Sequence, residues 1–245
     1  MRLVSKMDYP GRRWWCQTDA VRSYGQYCPV AHGAEIFADR WTPLIVRELD
    51  LGASHFNEIR RGLPGISRTL LANRLRRLER DGVVERGDGA YRLTGAGRAL
   101  VQVVDALGRW GARHSFGEPR SDELDAALLL WWMHRRIAFE RVPEQRVTVR
   151  FRFRQGRRRV LWLVLEGGEC SVCLTDPGYE VDLHVDADLA AFYEVWLGRR
   201  SFAATMRAGD VRLEGPRQLV RAFPTWLRFS LFADEVRAAT RAAAS

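Results

Sequence analysis

Ser67, Arg68, Thr69, Asn73, Arg76, Arg77 and Arg80 fall within "SRTLLANRLRRLER", a segment whose leucines repeat at helical spacing. On a helix turning ~100° per residue, Leu71, Leu75 and Leu78 line one face with Leu70 at its edge. Thr69, Asn73, Arg76 and Arg80 line the opposite face, flanked by Arg77. These side-chain types suit a nucleic-acid groove. Arginine can fork onto the two acceptors of a guanine edge, asparagine can pair with an adenine edge, and a hydroxyl can reach phosphate or base. Ser67, Arg68, Thr69 and Asn73 stand at the N-terminal end, where a helix entering a groove makes its base contacts. Arg76, Arg77 and Arg80 suit phosphates further along. An arginine-faced helix is also an ordinary solvated face, so the neighbouring elements have to decide.

Upstream, "PVAHGAEIFADRW" predicts a helix opening at Pro29, and "WTPLIVRELDLG" a second one capped by Asp39 or Thr42 and ended by Gly52. Ser54 is expected to cap "HFNEIRRGL", in which Phe56, Ile59 and Leu63 recur at helical spacing. "GLPGIS" is then a sharp turn, and Ser67 caps the arginine-faced helix. Downstream, Val83–Arg86 and Tyr91–Leu93 read as two short strands around "GDGA", whose Asp-Gly pair fits a tight hairpin. Arg86 and Arg92 flank its tip, within reach of a backbone or minor groove. Thr94 caps a long helix with Leu100, Val103, Val104, Leu107 and Trp110 along one side, a place where winged-helix proteins often dimerise. Helix, helix, turn, helix, hairpin, helix is the order of a winged helix-turn-helix.

The wording of residues 24–110 resembles the HxlR-type branch of winged-helix regulators, related to the MarR type. The resemblance rests on "YGQYCPV", "DRWTPLIVREL", "EIRRGLPGISRTLLANRLRRLERDGVVER" and "YRLTGAGRAL". It implies a homodimeric transcription factor on double-stranded DNA, with one recognition helix in each major-groove half-site of an inverted repeat. Cys28, in "QYCPV", stands where some members of that family carry an oxidant-sensing cysteine. A thiol beside the helix opening at Pro29 would gain from the helix dipole. The local sequence favours a packing residue instead, since Arg22 and His32 are its only cationic neighbours.

Charge agrees with an anionic partner. Residues 1–114 hold 19 basic and 12 acidic side chains, whereas 115–245 hold 20 and 18, so most of the net +9 lies in the first part. Lys6 is the only lysine, so composition bias accounts for some of the arginine. No apolar run approaches the ~20 residues that span a bilayer, and "MRLVSKMDYPGRRWW" lacks the features of a secretory signal, so no membrane partner and a cytoplasmic location are expected. The four cysteines are expected to be reduced thiols. Cys170 and Cys173, in "CSVC", fall on an expected strand, where residues i and i+3 face opposite ways and disfavour a shared metal or disulfide.

"SFGEPRSDE" reads as a linker between two domains. The expected layout is an extension at 1–23, a mostly α winged-helix domain at 24–116, a linker at 117–122 and an α+β domain at 123–245. In the last, "DELDAALLLWWMHRRIAF" predicts a helix. "VTVRFRFR" predicts a strand with Val147, Val149, Phe151 and Phe153 inward and Arg150, Arg152 and Arg154 outward. "RVLWLVLE", "ECSVCLT" and "VDLHVD" continue an antiparallel sheet; helices follow on one face, with "VRLEG" as a short strand and "RAATRAAAS" as a frayed tail. The outward arginines, with those at 157–159, are either a second nucleic-acid patch or a solvated sheet face, the latter favoured by composition.

Residues ~122 to 235, and above all "DPGYEVDLHVDADLAAFYEVWLGRRSFAATMRAGDVRLEGPRQLVRAFPTWL", resemble the sterol carrier protein-like fold. That resemblance implies a hydrophobic ligand held between sheet and helices, with Trp162, Phe192, Trp196, Phe202, Met206, Phe223 and Trp226 as the apolar contacts, although each also suits an ordinary core. No catalytic set, phosphate-binding glycine loop or cofactor motif stands out, so no enzyme and no cofactor are expected. The readings that remain are a homodimeric DNA-binding regulator tuned by an apolar small molecule, a redox regulator acting through Cys28, and a lipid carrier with non-specific DNA binding.

Overall fold

The structure is a computed structural model and describes residues 23–156 and 159–243. The extension with Trp14, Trp15 and Cys16, and Arg157 and Arg158 of the arginine run, lie outside the described residues. The chain divides into two compact units, residues 1–43 and 44–245.

In the first unit α1 spans Pro29–Phe37. Cys28 precedes it in an extended conformation and Pro29 takes the first turn, where the missing N–H breaks no helical bond. Glu35 anchors the segment before it, accepting from the Ser23 hydroxyl at 3.0 Å and the Tyr24 N–H at 2.8 Å.

The helix α2, Thr42–Asp50, runs into the second unit. It is followed by α3 (Phe56–Arg61), α4 (Arg68–Arg80), the strands β1 (Val84–Gly87) and β2 (Ala90–Leu93), and α5 (Gly95–His114). Ile45, Val46, Leu49, Ile59, Leu63, Ile66, Leu71, Leu75, Leu78 and Val83 are all buried, so α2, α3 and α4 each turn an apolar side inward. Full burial stabilises by roughly 1.5–3 kcal/mol for each such side chain. His55, rather than Ser54, is the N-cap of α3, because the Glu58 carboxylate turns back to accept from both the Ser54 and His55 N–H groups, at 2.9 and 3.0 Å. Burial raises the Glu58 pKa, yet these hydrogen bonds outweigh it and hold the carboxyl below its usual range. In the hairpin, Gly87 pairs with Ala90, and Asp88 and Gly89 both adopt positive φ, 52° and 77°. That is the backbone a two-residue primed turn requires.

Beyond the connecting segment come α6 (Ala126–Met133), β3 (Val147–Phe153), β4 (Val160–Glu166), β5 (Glu169–Cys173), β6 (Leu183–Ala187), α7 (Leu189–Trp196), α8 (Phe202–Arg207), β7 (Val211–Glu214), α9 (Arg217–Trp226) and α10 (Ala233–Ala243). The sheet order is β5-β4-β3-β6-β7. It is mixed rather than wholly antiparallel: β6 runs parallel to β3, because the chain leaves β5 at one edge and returns beside β3 on its other side. Val147, Val149, Phe151 and Phe153 point inward as expected, packed with Leu161, Leu163, Leu165, Leu183 and Val185 beneath α6, α7 and α9.

Two helices differ from expectation. The first is α6, which stops at Met133 and continues as a 3-10 turn at His134–Arg136; Asp125 caps it by accepting from Ala127 and Leu128. In the tail expected to fray, residues 237–243 continue α10, which opens at Ala233 and packs against α5, and Ala244 and Ser245 lie outside the described residues. Short alanine-rich text hides this, since the docking surface is supplied by the other helix. Phe232, just before α10, lies so close to Gly108 of α5 that a Cβ there would fall 2.3 Å from its ring.

Candidate nucleic-acid interface

Helix α4 is built to present one side. Ser67 caps it, its hydroxyl accepting from the Leu70 N–H at 3.1 Å, and Leu71, Leu75 and Leu78 bury the inner stripe. Ser67, Arg68, Thr69, Asn73, Arg76 and Arg80 are all exposed on the outer side. The Asn73 carboxamide oxygen accepts from the Arg76 guanidinium, so these two side chains hold each other in place. Arg68 lies over the Phe56 ring with 5.9 Å between guanidinium carbon and ring centre, which ties the helix start to α3. Arg77 differs from the rest: it is half-buried and ion-paired at 3.5 Å with Asp81, the residue capping the C-terminus of α4. In the hairpin, Arg86 and Arg92 are exposed, and Arg86 stacks over Tyr91 at 5.3 Å.

The remaining sequence candidates are placed as follows. Cys28 is half-buried at the N-cap of α1. The register of β4 with β5 pairs Cys170 with Leu165 on the inner face and Cys173 with Trp162 on the outer one, so the two thiols face apart. Burial, then the neighbouring Cys173, pushes the Cys170 thiol up to about 12. Arg152 and Arg154 on the outer sheet face are both bound to Asp186, and Arg154 also donates to the carbonyls of Gly209 and Asp210 at 2.6 and 3.2 Å. Of the apolar set, Phe192, Phe202, Phe223 and Trp226 come together edge-to-face, with ring centres 5.6–6.0 Å apart. Trp162 lies across the sheet from them, Met206 is exposed, and Trp196 borders a cavity elsewhere.

What the sequence reading missed is an ionic junction between α2 and α6. Glu48 is fully buried; its carboxylate accepts from Arg47 at 2.9 Å and from Arg135 at 2.9 Å. Arg47 also donates to the Gly62 carbonyl at 3.3 Å and stacks on Trp132, while Arg135 stacks on Trp131 at 4.4 Å. Burial, ahead of all else, lowers the pKa of Arg135, with Glu48 opposing. Beside it, burial and then the Arg135 charge push His134 down to about 4, so its imidazole is neutral near neutral pH. One signal was available: Glu48 follows Ile45 by three residues and precedes Leu49 by one, which puts a carboxylate inside an apolar stripe.

A recognition helix set on a leucine core, with a hairpin wing at its side, defines a winged-helix DNA-binding transcriptional regulator. The family model for the HxlR-like helix-turn-helix matches residues 36–118. The HTH-type transcriptional regulator YdeP of Bacillus subtilis (strain 168) is 35% identical over 107 residues, 41% of this chain and 81% of the relative. YvaP of the same organism is 36% identical over 93 residues, 35% of this chain and 86% of the relative. The chain belongs to the HxlR-like helix-turn-helix family. Among solved structures, quinone-bound YodB from B. subtilis is 36% identical, with a TM-score of 0.32, over 34% of this chain and 96% of its own. No helix among the described residues is long and apolar enough to cross a membrane.

Proposed function

We propose that the protein is a homodimeric regulator in which a winged-helix domain at 24–116 is joined through 117–122 to a domain at 123–245 that binds an apolar small molecule and thereby changes DNA affinity. The carrying observation is the exposed arc Ser67, Arg68, Thr69, Asn73, Arg76 and Arg80 opposite the buried leucines of α4. In this reading Arg68, Thr69 and Asn73 meet base edges, Ser67 donates its hydroxyl proton to a phosphate while still capping the helix, and Arg76, Arg77 and Arg80 meet phosphates. Arg86 and Arg92 of the wing meet the adjacent backbone.

Dimerisation is supported by α5. Its Val104 and Ala112 are buried, while Val103, Leu107 and Trp110, spaced 103, 107, 110, leave an apolar stripe 45–58% exposed. Separately, the first unit exposes Tyr24, Tyr27 and Val30. A second copy is the occupant that a closed two-fold interface would supply. The sterol carrier protein-like reading of the second domain is supported by its layering, with α6, α7 and α9 packed on one face of the five-stranded sheet.

The test is fluorescence anisotropy of the protein on DNA from upstream of its own gene, against a shuffled duplex, at two salt concentrations. A specific regulator prefers the first by roughly a thousandfold or more. Equal binding to this and other intergenic fragments, collapsing with salt, would leave only phosphate attraction and the lipid-carrier reading.

A further inference from the structure

A cavity of about 490 Å³ opens in the second unit, walled by Arg47 of α2, by Ser115 at the end of α5, by Trp132 of α6 and Arg136 just beyond it, by Trp196 of α7 and by Phe232. Its size is that of a small-molecule site, and aromatic and leucine side chains make up half of the residues in its walls, charged and small polar ones the rest. It is separate from the packed Phe192, Phe202, Phe223 and Trp226 group, which leaves its own interior filled.

The charges around it do not cancel. Arg120 is paired with Glu123 at 3.1 Å, Glu118 with Arg199 at 3.1 Å, and Arg47 with Glu48. Arg136 is the exception: its Nε donates to the Phe229 carbonyl at 2.6 Å, and no carboxylate among the described residues pairs with it. Nearby Arg228 is committed to Glu140 at 2.9 Å and adds a further positive field. Trp132 supplies a flat wall. An uncompensated guanidinium on the rim of an aromatic cavity favours a ligand with one negative charge and an apolar body.

We propose that this cavity is the effector site and that it binds amphipathic organic monoanions, the carboxylate on Arg136 and the apolar body against Trp132, Trp196 and Phe232. The proposal deepens the small-molecule reading above and rests on it for its regulatory meaning. Arg47 and Trp132 belong both to the cavity wall and to the junction around Glu48, so a bound anion presses on the contact that joins α2 to α6. A ligand that binds one arrangement of that junction better than another changes the presentation of α4 by its differential affinity.

The test uses the full chain with dodecanoate and its neutral analogue dodecanol, followed by displacement of anilinonaphthalenesulfonate fluorescence. Dodecanoate is expected to bind more tightly than dodecanol, and Arg136→Gln to weaken dodecanoate by about tenfold or more while leaving dodecanol unchanged. Arg136→Lys, which keeps the charge, retains the preference, and Ser115→Trp, which puts a large ring on the cavity wall at the end of α5, weakens both ligands. Equal affinity for the two ligands, no binding of either, or an Arg136→Gln protein that folds and still prefers the anion overturns the proposal. Loss of binding on Phe202→Ala but not on Ser115→Trp overturns it too, while leaving a ligand domain in place. Anion binding that follows Arg136 yet leaves operator affinity unchanged upholds the site and removes the regulatory reading.

Discussion

Helix α4 carries five arginines and α6 is followed at once by two, Arg135 and Arg136, and the two helices use them in opposite ways. Around α4, Arg68, Arg76 and Arg80 stand in solvent while Leu71, Leu75 and Leu78 lie beneath, so the helix has an inside and an outside. By contrast α6 is apolar on every side, with Leu128, Leu129, Leu130, Trp131 and Met133 all buried, and Arg135 just beyond its end turns inward to Glu48. An arginine in water adds little to stability and is available to a partner; one in the interior is committed to holding the fold. Substitutions at the two helices should therefore separate cleanly into losses of folding and losses of binding.

The largest effect is expected at Glu48. Glu48→Ala strands Arg135 and Arg47 without their shared carboxylate, and should destabilise by about 3–5 kcal/mol in urea unfolding. A double replacement, Glu48→Leu with Arg135→Leu, should recover much of that loss, since a buried pair is often replaceable by packed apolar side chains. If Glu48→Ala unfolds within 0.5 kcal/mol of wild type, by the ordinary scatter of surface substitutions, the junction is not structural and the contrast with α4 fails.

His134 gives the same contrast a pH dependence. Its native pKa is about 4 against 6.5 unfolded, so between these values the unfolded chain takes up a proton that the folded one refuses. Stability is therefore full above pH 6.5 and falls as pH drops towards 4, by about 3 kcal/mol at most from this group. The groups facing it are Arg135, which repels the proton, and Glu48, which attracts it; burial outweighs both. Unfolding midpoints measured from pH 7.5 to 4.5 should decline less steeply in His134→Gln than in wild type. Parallel curves would mean that His134 protonates freely in the folded state.

Gly62 tests how closely the junction is packed. Its φ is ordinary, but a Cβ there would sit 1.9 Å from the Glu48 carboxylate, inside any permitted contact. Gly62→Ala should cost about 1–3 kcal/mol through overpacking, and the loss should shrink when Glu48 is also shortened. Additive losses in the double variant would place the strain elsewhere.

The difference between the two helices also explains what could be read in the sequence. In α4 a single stripe meets a single core, so periodicity assigns each residue to a side, and local text such as Ser67, Thr94 and Asp88-Gly89 names the caps and the turn. With Leu128 to Met133 apolar all round, α6 offers no period to say which neighbour each face meets. Its contact with α2 depends on Glu48, 87 residues away from Arg135. The parallel pairing of β6 with β3 was hidden for the same reason, because Leu183–Ala187 alternates identically in either direction. Likewise Trp196 looks like its aromatic neighbours in sequence, and only the path of the connecting segment makes it part of a cavity wall.

The smallest effects on stability belong to α4, and there they should be accompanied by clear effects on DNA. Arg80→Ala and Asn73→Ala should each change unfolding free energy by no more than about 0.5 kcal/mol, as exposed substitutions do. Their binding phenotypes should differ in kind. Arg80, exposed near the end of the helix, should weaken operator and shuffled DNA alike and lower the salt slope by about one. Asn73, nearer the N-terminal end and held by Arg76, should cost about 1–3 kcal/mol on the operator and little on shuffled DNA, relaxing preference at one base pair. Because Asn73→Ala also releases Arg76, part of the loss should come from that arginine, and Arg76→Ala should then be less than additive with it. Full additivity would mean that the two side chains part on binding and read the DNA independently.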